Sequence, residues 1–314
     1  MRLAICNDWY DKKSAIFWNK DGFLKALHNL REIHGWETKF FKKHERTFEW
    51  EHDYVDLSFS PDPKQQILDW KPDAILFFSD LSRPLLEELK DSGIPIAICM
   101  TGGTFTDYIH VPDIIFVESQ TYFDVLGSKG ANVMRAFGTN EEIFYPDKRP
   151  KIFDAVFPAT FANWKRHNLF AEAMEGAPSA VCGWFQPNEA HCWQICQEKG
   201  VALFHHQLPE SVNDLYNMSK TCLITAESVG GSQRTVLEAM ACNIPVIVTS
   251  DSEKTSEYLI ASGTGSIIEP DANKLRAEVE RVKDTKVTTR ELILENYSSK
   301  VYAEQLKKGI ESII

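Results

Sequence analysis

Residues 227–248, ESVGGSQRTVLEAMACNIPVIV, hold the residue types and spacing best suited to chemistry. Gly230, Gly231 and Ser232 read as a loop, and Ser232 is a good helix cap. From Gln233 through Thr235 to Cys242 the chain suits a helix, with Val236, Leu237 and Met240 on its apolar face. Pro245 ends the helical reading, and Ile244 to Val248 reads as a buried parallel strand. A small-residue loop that opens a helix leaves free N–H groups aimed at one spot, which attracts phosphate. Gly231, Arg234 and Glu238 follow i, i+3, i+7 and share one helix stripe. A loop, a guanidinium and a carboxylate in line suit a nucleotide diphosphate and the sugar beyond it. The competing reading is an ordinary surface pair of Arg234 with Glu238. Arg precedes Glu, the weaker order for such a pair, and a cation in the first turn opposes the helix dipole.

A second polar stretch, Thr160 to Arg166 (TFANWKR), follows an apolar run and precedes a helical pattern, so Lys165 lies on the ligand side of a parallel sheet. A third, His205 to Pro209, follows the run at 201–204. Adjacent histidines on an extended chain point oppositely, and no third ligand accompanies them. His191, Cys192 and Cys196 lack a second Cys pair, so a helix over about 188–199 with Cys192, Trp193 and Cys196 inward is the preferred reading over zinc. No metal site is expected.

The elements that must position these residues alternate between apolar runs and helical patterns, the mark of α/β architecture with parallel sheets. Strands are expected at 2–6, 36–41, 74–78, 94–100, 114–117 and 132–136, then at 155–159, 180–182, 200–204, 222–225, 244–248 and 265–268. Helices fall between them, the first opening at Asp21-Gly22. Residues 42–62 are charged, aromatic and unpatterned. The segment 138–154, with a Gly, two Pro and a charge cluster, reads as an interdomain hinge. Two domains follow, 1–148 and 149–314, and 314 residues are enough for two cores.

A net charge of −11 disfavours a broad nucleic-acid footprint, which needs clustered Lys and Arg. No apolar run approaches the ~20 residues of a membrane span, and the apolar stretch at the N-terminus, MRLAICNDWYDKK, is too short for a signal peptide. Seven cysteines, most beside apolar runs, read as reduced core residues of a cytoplasmic protein.

Leu237 to Val248, LEAMACNIPVIV, resembles the signature of the retaining GT-B glycosyltransferases of family 4 (group 1). That family carries a Glu, seven residues, then Glu-Ala-Met-Ala and an apolar strand opening with Pro. The second Glu, which holds the nucleotide ribose, corresponds to Glu238. The first, which touches the donor sugar, falls at Gly230, and the nearest upstream carboxylate is Glu227. The family pair of Arg and Lys on the diphosphate corresponds to Thr160 and Lys165, with Arg166 or Arg234 as the replacement cation. Gly138, Phe144 and Pro146 match the stretch that ends the family's first domain. Asp21-Gly22 stands where the family has a Gly-rich phosphate loop, and Thr101-Gly102-Gly103 where many members place a His.

The resemblance implies a GT-B fold of two Rossmann-like parallel-sheet domains facing a cleft, with the helix at 298–314 crossing back to the first domain. It implies retaining, metal-independent transfer of a sugar from a UDP- or GDP-sugar to a hydroxyl acceptor, which would be a saccharide, a lipid or a small molecule, with no cofactor required. Lys165, Arg234 and Glu238 would carry the chemistry. Gly230, Gly231, Ser232, Gln233, Thr235, Thr160 and Glu227 would bind the donor, with Gln207 and Leu208 lining the base. Asp21, Gly22, Gly102 and Gly103 are the candidates from the first domain. Alternatives of the same architecture are a nucleotide-sugar epimerase or hydrolase, a non-catalytic nucleotide-binding partner protein, and a transferase acting on nucleic acid. Trp9, Tyr10, Phe17 and Trp18 suit either stacking on sugars or core packing.

Overall fold

The computed structural model describes residues 1–6, 20–78, 83–100, 109–184, 190–205, 207–227 and 233–314, with the backbone alone for 253–255. Gly102, Gly103, Gly230, Gly231, Ser232, His206 and the aromatic cluster of Trp9, Tyr10, Phe17 and Trp18 therefore lie outside the described residues. The chain forms two compact units, residues 1–138 with 299–314, and residues 139–298.

The first unit is an eight-stranded sheet of order β3-β4-β2-β1-β5-β6-β7-β8. Its strands are β1 (Arg2–Cys6), β2 (Glu37–Lys43), β3 (Phe48–Glu51), β4 (Asp56–Ser60), β5 (Ala74–Phe78), β6 (Ile96–Met100), β7 (Ile114–Val117) and β8 (Val133–Arg135). Among the described residues, only the edge pair β3 and β4 is antiparallel. β5, β6 and β7 (AILFF, IAICM, IIFV) are buried along their whole length, as strands covered on both faces must be. Alternate residues of β1 serve opposite layers, Leu3 and Ile5 in one core and Ala4 and Cys6 in the other.

Among the described residues, the helices before the last strand of this unit are α1 (Gly22–His34), α2 (Pro63–Trp70), α3 (Arg83–Leu89) and α4 (Gln120–Ser128). α1 opens because the Asp21 carboxylate accepts from Leu24 N at 2.9 Å, and it closes at Gly35, whose φ of 67° suits a residue without Cβ. β3 and β4 occupy the stretch that carries no readable pattern in the sequence. All four residues of β3 (FEWE) are exposed, so no face alternates.

The second unit is a six-stranded, wholly parallel sheet of order β11-β10-β9-β12-β13-β14. Its elements run β9 (Phe153–Pro158), α5 (His167–Ala173), β10 (Ser179–Gly183), α6 (Ala190–Glu198), β11 (Ala202–His205), α7 (Pro209–Asn217), β12 (Ser219–Ile224), α8 (Arg234–Ala241), β13 (Val246–Thr249), α9 (Glu253–Ser262), β14 (Ser266–Ile268), α10 (Ala272–Val282) and α11 (Arg290–Asn296). The chain winds outward from β9 through β10 to β11, returns beside β9 as β12, and winds the other way. The strand order therefore reverses between β9 and β12, and ligands of open parallel sheets bind beyond the carboxyl ends of the strands at such a point.

α12 (Ser299–Glu311) belongs to the first unit. Its Ser299 hydroxyl meets Asn29 of α1 at 3.0 Å, both buried, and Tyr302, Leu306 and Ile310 join the core of β1 and α1. Gly309 permits the close approach, since a Cβ there would fall 2.4 Å from Phe116.

Residues 139–147, which the sequence reads as part of a hinge, are anchored within the second unit. Buried Asn213 and Asn217 of α7 accept from Tyr145 N (3.1 Å) and Asp147 N (2.8 Å). Arg290 donates to the carbonyls of Phe144 (2.6 Å), Glu141 (2.9 Å) and Ala241 (3.1 Å). Side chains thus supply hydrogen bonds that a segment outside the sheet cannot obtain from a ladder.

Candidate functional site

The segment after β9 continues beside β10: Ala159 N donates to Cys182 O and Phe161 N to Trp184 O, both at 2.8 Å. Gly183 permits this, because a Cβ there would lie 1.8 Å from the Ala159 carbonyl oxygen. Half-buried Thr160 sits inside this extension. A single 3₁₀ turn, Asn163–Lys165, follows and ends at Arg166, which adopts the left-handed conformation at φ 53°, ψ 52°. Such a backbone in a residue with Cβ costs about 1 kcal/mol and persists only where neighbours fix it.

The neighbours are at the ends of β12 and β13. Arg166 donates Nε to Thr225 O (2.5 Å), Nη2 to Thr249 Oγ1 (2.8 Å), and Nη1 and Nη2 to the two Asp251 oxygens (2.6 and 2.8 Å). Those bonds hold the Asp251 carboxyl below the usual carboxylate range. Thr225 Oγ1 bonds the carbonyls of Lys165 (3.0 Å) and Arg166 (3.1 Å), and Glu227 N donates to Trp164 O (2.8 Å). The turn carrying Lys165 is thereby laced to the end of β12 across the reversal point. Arg166 is a brace: its guanidinium is taken up by protein groups, which answers the expectation that it replaces the family arginine at Thr160.

Lys165 itself points along this edge. Its ammonium lies 4.0 Å from the Trp164 ring centroid and donates to Gln233 Oε1. Gln233 occupies the N-cap position of α8, one residue later than the cap expected at Ser232, and its side chain turns to Lys165 rather than to the helix N–H groups. Arg234 is the first helical residue and is half-buried. One turn on, Glu238 faces inward at 9% exposure and its Oε2 accepts from Tyr216 Oη at 3.0 Å. The same phenol lies 3.2 Å from the Thr235 carbonyl. Burial, and then the Glu238 charge, push the Tyr216 phenol and the Cys222, Cys182 and Cys242 thiols up, so these neighbours stay neutral.

The structure thus brings Lys165, Gln233, Arg234, Thr235 and Glu238 to one end of one sheet. Glu227 joins through its backbone. Gln207 and Leu208 follow β11, which β10 separates from β9. The Gln207 amide turns back to His205 O (2.9 Å), and Leu208 is exposed ahead of α7. In the first unit, Asp21 spends its carboxylate as the cap of α1, and Gly22 is the first residue of that helix. Sequence reasoning did not find Tyr216, Gly183 or the Asp251–Thr249 brace, because each acts on a residue far along the chain. All seven cysteines are buried. Among the described residues no helix is long and apolar enough to cross a membrane.

Residues 139–299, the segment that holds this arrangement, match the glycosyl transferases group 1 family. The chain belongs to the group 1 glycosyl transferases. No curated protein sequence matches this glycosyl transferase. Its architecture is the GT-B fold, shared with sucrose-phosphate synthase from Thermosynechococcus elongatus at a TM-score of 0.79 and 15% identity, over 99% of this chain and 98% of that one. HepE of Anabaena, solved in complex with UDP, superposes at 0.72 with 10% identity, over 99% and 100% of the two chains. The α,α-trehalose 6-phosphate synthase from Burkholderia multivorans superposes at 0.70 with 8% identity, over 100% and 98%. At these identities the likeness shows the fold that a group 1 glycosyl transferase uses.

Proposed function

We propose that the protein transfers a sugar from a nucleotide-diphosphate sugar to a hydroxyl acceptor, with retention at the anomeric carbon and without a metal ion. The observation that carries this reading is the meeting of Lys165 with Gln233 at the N-terminus of α8, one turn before the buried carboxylate of Glu238. Departure of a nucleoside diphosphate develops negative charge on its terminal phosphate. Preorganised cations and helix N–H groups lower the barrier by stabilising that charge. Lys165 and Arg234 supply the cations. Glu238 accepts hydrogen bonds from the ribose hydroxyls, and the acceptor is a saccharide, a lipid or a small molecule. Retention is supported by the resemblance of 237–248 to retaining enzymes. A uridine donor is favoured over a guanosine one by the UDP complexes of the Anabaena protein and of Staphylococcus aureus TarM, which share the fold.

One observation favours a second reading, a non-catalytic nucleotide-binding protein: Gly230 and Thr160 stand where the family places its sugar-contacting Glu and its second cation. Thermal shifts with UDP, GDP, ADP, TDP and CMP on wild type and Glu238→Ala separate the outcomes. A ligand at 100 times its Kd adds about 2.7 kcal/mol. The proposal expects UDP or GDP to stabilise wild type, Glu238→Ala to lose most of that shift, and the matching nucleotide sugar to turn over. Binding without turnover supports the second reading, and no binding at millimolar concentration refutes both.

A further inference from the structure

β2 starts at Glu37, but its neighbour β4 starts at Asp56, opposite Lys39. Among the described residues, Glu37 and Thr38 therefore have β1 on one side and no strand on the other. The notch is a cavity of about 290 Å³, near the size at which small-ligand sites begin. Trp36, just ahead of β2, and Trp70, the last residue of α2, line it together with Arg31 of α1 and Asp56. Thr38 lines it too. That residue is 2% exposed, and its hydroxyl has no hydrogen-bond partner among the described residues. Buried polar groups in native proteins are normally paired, with protein or with what fills the space beside them.

The lining suits one kind of ligand. Two indoles offer apolar surface. Trp70 is anchored: its ring packs on Phe41 at 5.4 Å, and its carbonyl accepts from Arg2 Nη1 at 3.3 Å. The charges cancel in pairs, Arg31 with Asp56 (3.4 Å), Lys39 with Glu49 (3.1 Å) and Arg2 with Glu37 (3.3 Å). An ionic ligand would have to break a pair or bring an unmatched charge. The Arg31–Asp56 contact uses one guanidinium nitrogen and one carboxylate oxygen, so further donors and a second acceptor remain for hydroxyl groups. A neutral molecule with several hydroxyls and an apolar C–H face is a sugar ring.

We propose that this cavity is a second sugar site, holding one neutral ring with its C–H face on Trp70 and its hydroxyls on Arg31 and Asp56. It stands at the amino ends of β1 and β2. The seven residues of β2 run about 20 Å from there to the carboxyl end, where open parallel sheets bind their ligands. The ring is thus set apart from that edge, and is either a free sugar or a remote unit of a saccharide chain. The site is independent of the nucleotide reading of Lys165 and Glu238.

The test labels the eight tryptophan indoles with nitrogen-15 and titrates the whole chain with methyl α-glucoside, methyl α-galactoside, methyl α-mannoside and maltotriose. Trp36→Phe and Trp70→Phe identify two of the signals. At least one sugar should shift both, with a Kd of roughly 1 to 10 mM. Asp56→Ala and Trp70→Leu should each raise that Kd about tenfold. The Arg31 and Asp56 side chains are 31% and 43% exposed, so Asp56→Ala should leave the unfolding midpoint in place, which separates lost binding from lost folding. Glucuronate, glucosamine and inorganic phosphate should bind more weakly than the neutral sugar. Equal Kd values for maltotriose and methyl α-glucoside support a single-ring ligand, and a tenfold tighter Kd for maltotriose supports a chain unit.

Unmoved Trp36 and Trp70 signals at roughly 100 mM of every sugar, ten times the weakest Kd expected, would overturn the proposal and leave a hydrated gap. Tighter binding of a charged probe would overturn it as well. So would sugars that shift other indoles alone with a Kd that Asp56→Ala leaves unchanged.

Discussion

Arg166 offers a sharp test of the site, because replacing it with glycine should harm the protein less than replacing it with alanine. Arg166 ends the 3₁₀ turn and is the N-cap of α5, a position where glycine already ranks above alanine. It also sits at φ 53°, where only a residue without Cβ is unstrained. Alanine there loses the bonds to Thr225 O and Thr249 Oγ1, whose residues are wholly buried. Each such bond is worth about 1 to 1.5 kcal/mol net. The pair with Asp251, whose side chain is 42% exposed, adds about 0.5 kcal/mol after solvent screening. Arg166→Ala should therefore destabilise the protein by about 3 kcal/mol. Arg166→Gly makes the same losses but recovers about 1 kcal/mol of backbone strain. Urea unfolding followed by far-UV circular dichroism measures both, with an unchanged slope reporting a change of stability alone. Asp251→Asn, which keeps the buried bonds, should cost under about 1 kcal/mol. An alanine variant as stable as the glycine one, or a loss under 1 kcal/mol in both, would refute the brace.

Three further outcomes follow from the same region. Gly183→Ala should destabilise by about 3 kcal/mol or more, because a Cβ 1.8 Å from the Ala159 carbonyl forces two backbones apart, and overpacking alone costs about 1 to 3 kcal/mol. Unfolding midpoints check this, and Gly183→Ala should also weaken nucleotide binding, since the displaced backbone leads into the Lys165 turn. His167 is wholly buried between the Phe157 and Phe161 rings, and burial, then the Lys165 charge, lowers its pKa from 6.5 to about 4. A folded pKa below the unfolded one means that stability is full above pH 6.5 and declines as the pH falls toward 4, by roughly 3 kcal/mol in all. His167→Phe should flatten that part of the curve of stability against pH. Arg234 is the first residue of α8, a turn without acids, where a cation opposes the helix dipole by about 0.3 to 1 kcal/mol. Arg234→Gln should raise the Kd for UDP or GDP, read by calorimetry, because the cation proposed to face the diphosphate is gone.

The inner strands of the second unit were legible because β9, β10, β12 and β13 each hold a short apolar run, which is what burial on both faces demands. Their order was not, since pairing depends on partners dozens of residues apart, and the order is what puts the turn carrying Lys165 beside the end of β12. β3 escaped notice because an edge strand exposed on all four residues has no pattern to read. Asn213 and Asn217 look like one polar stripe of a surface helix. They are buried because the backbone of residues 145–147 needs their side chains. Tyr216 reads as core, and only the fold shows that its hydroxyl meets a carboxylate. The place of Glu238 on α8 was legible because helix and strand are consecutive, so spacing along the chain is also spacing in the structure.

The departures at Thr160 and Gly230 gain meaning from the brace. Four of the five guanidinium donors of Arg166 face Thr225, Thr249 and Asp251. To reach a ligand it would have to leave two buried acceptors unpaired, at about 1 to 3 kcal/mol each. A diphosphate on the proposed path therefore meets Lys165 from one side and Arg234 with the amides of α8 from the other. Arg234 precedes Glu238 by four residues, about 6 Å along the helix axis. One short helix then spans from the phosphates to the ribose. On that reading the second cation, which the family draws from the end of the first strand, comes from the helix that also carries Glu238. This substitution keeps two positive charges on the leaving group while moving one of them, and it predicts that Lys165 and Arg234 fail together: removing either leaves a single cation to stabilise the departing diphosphate.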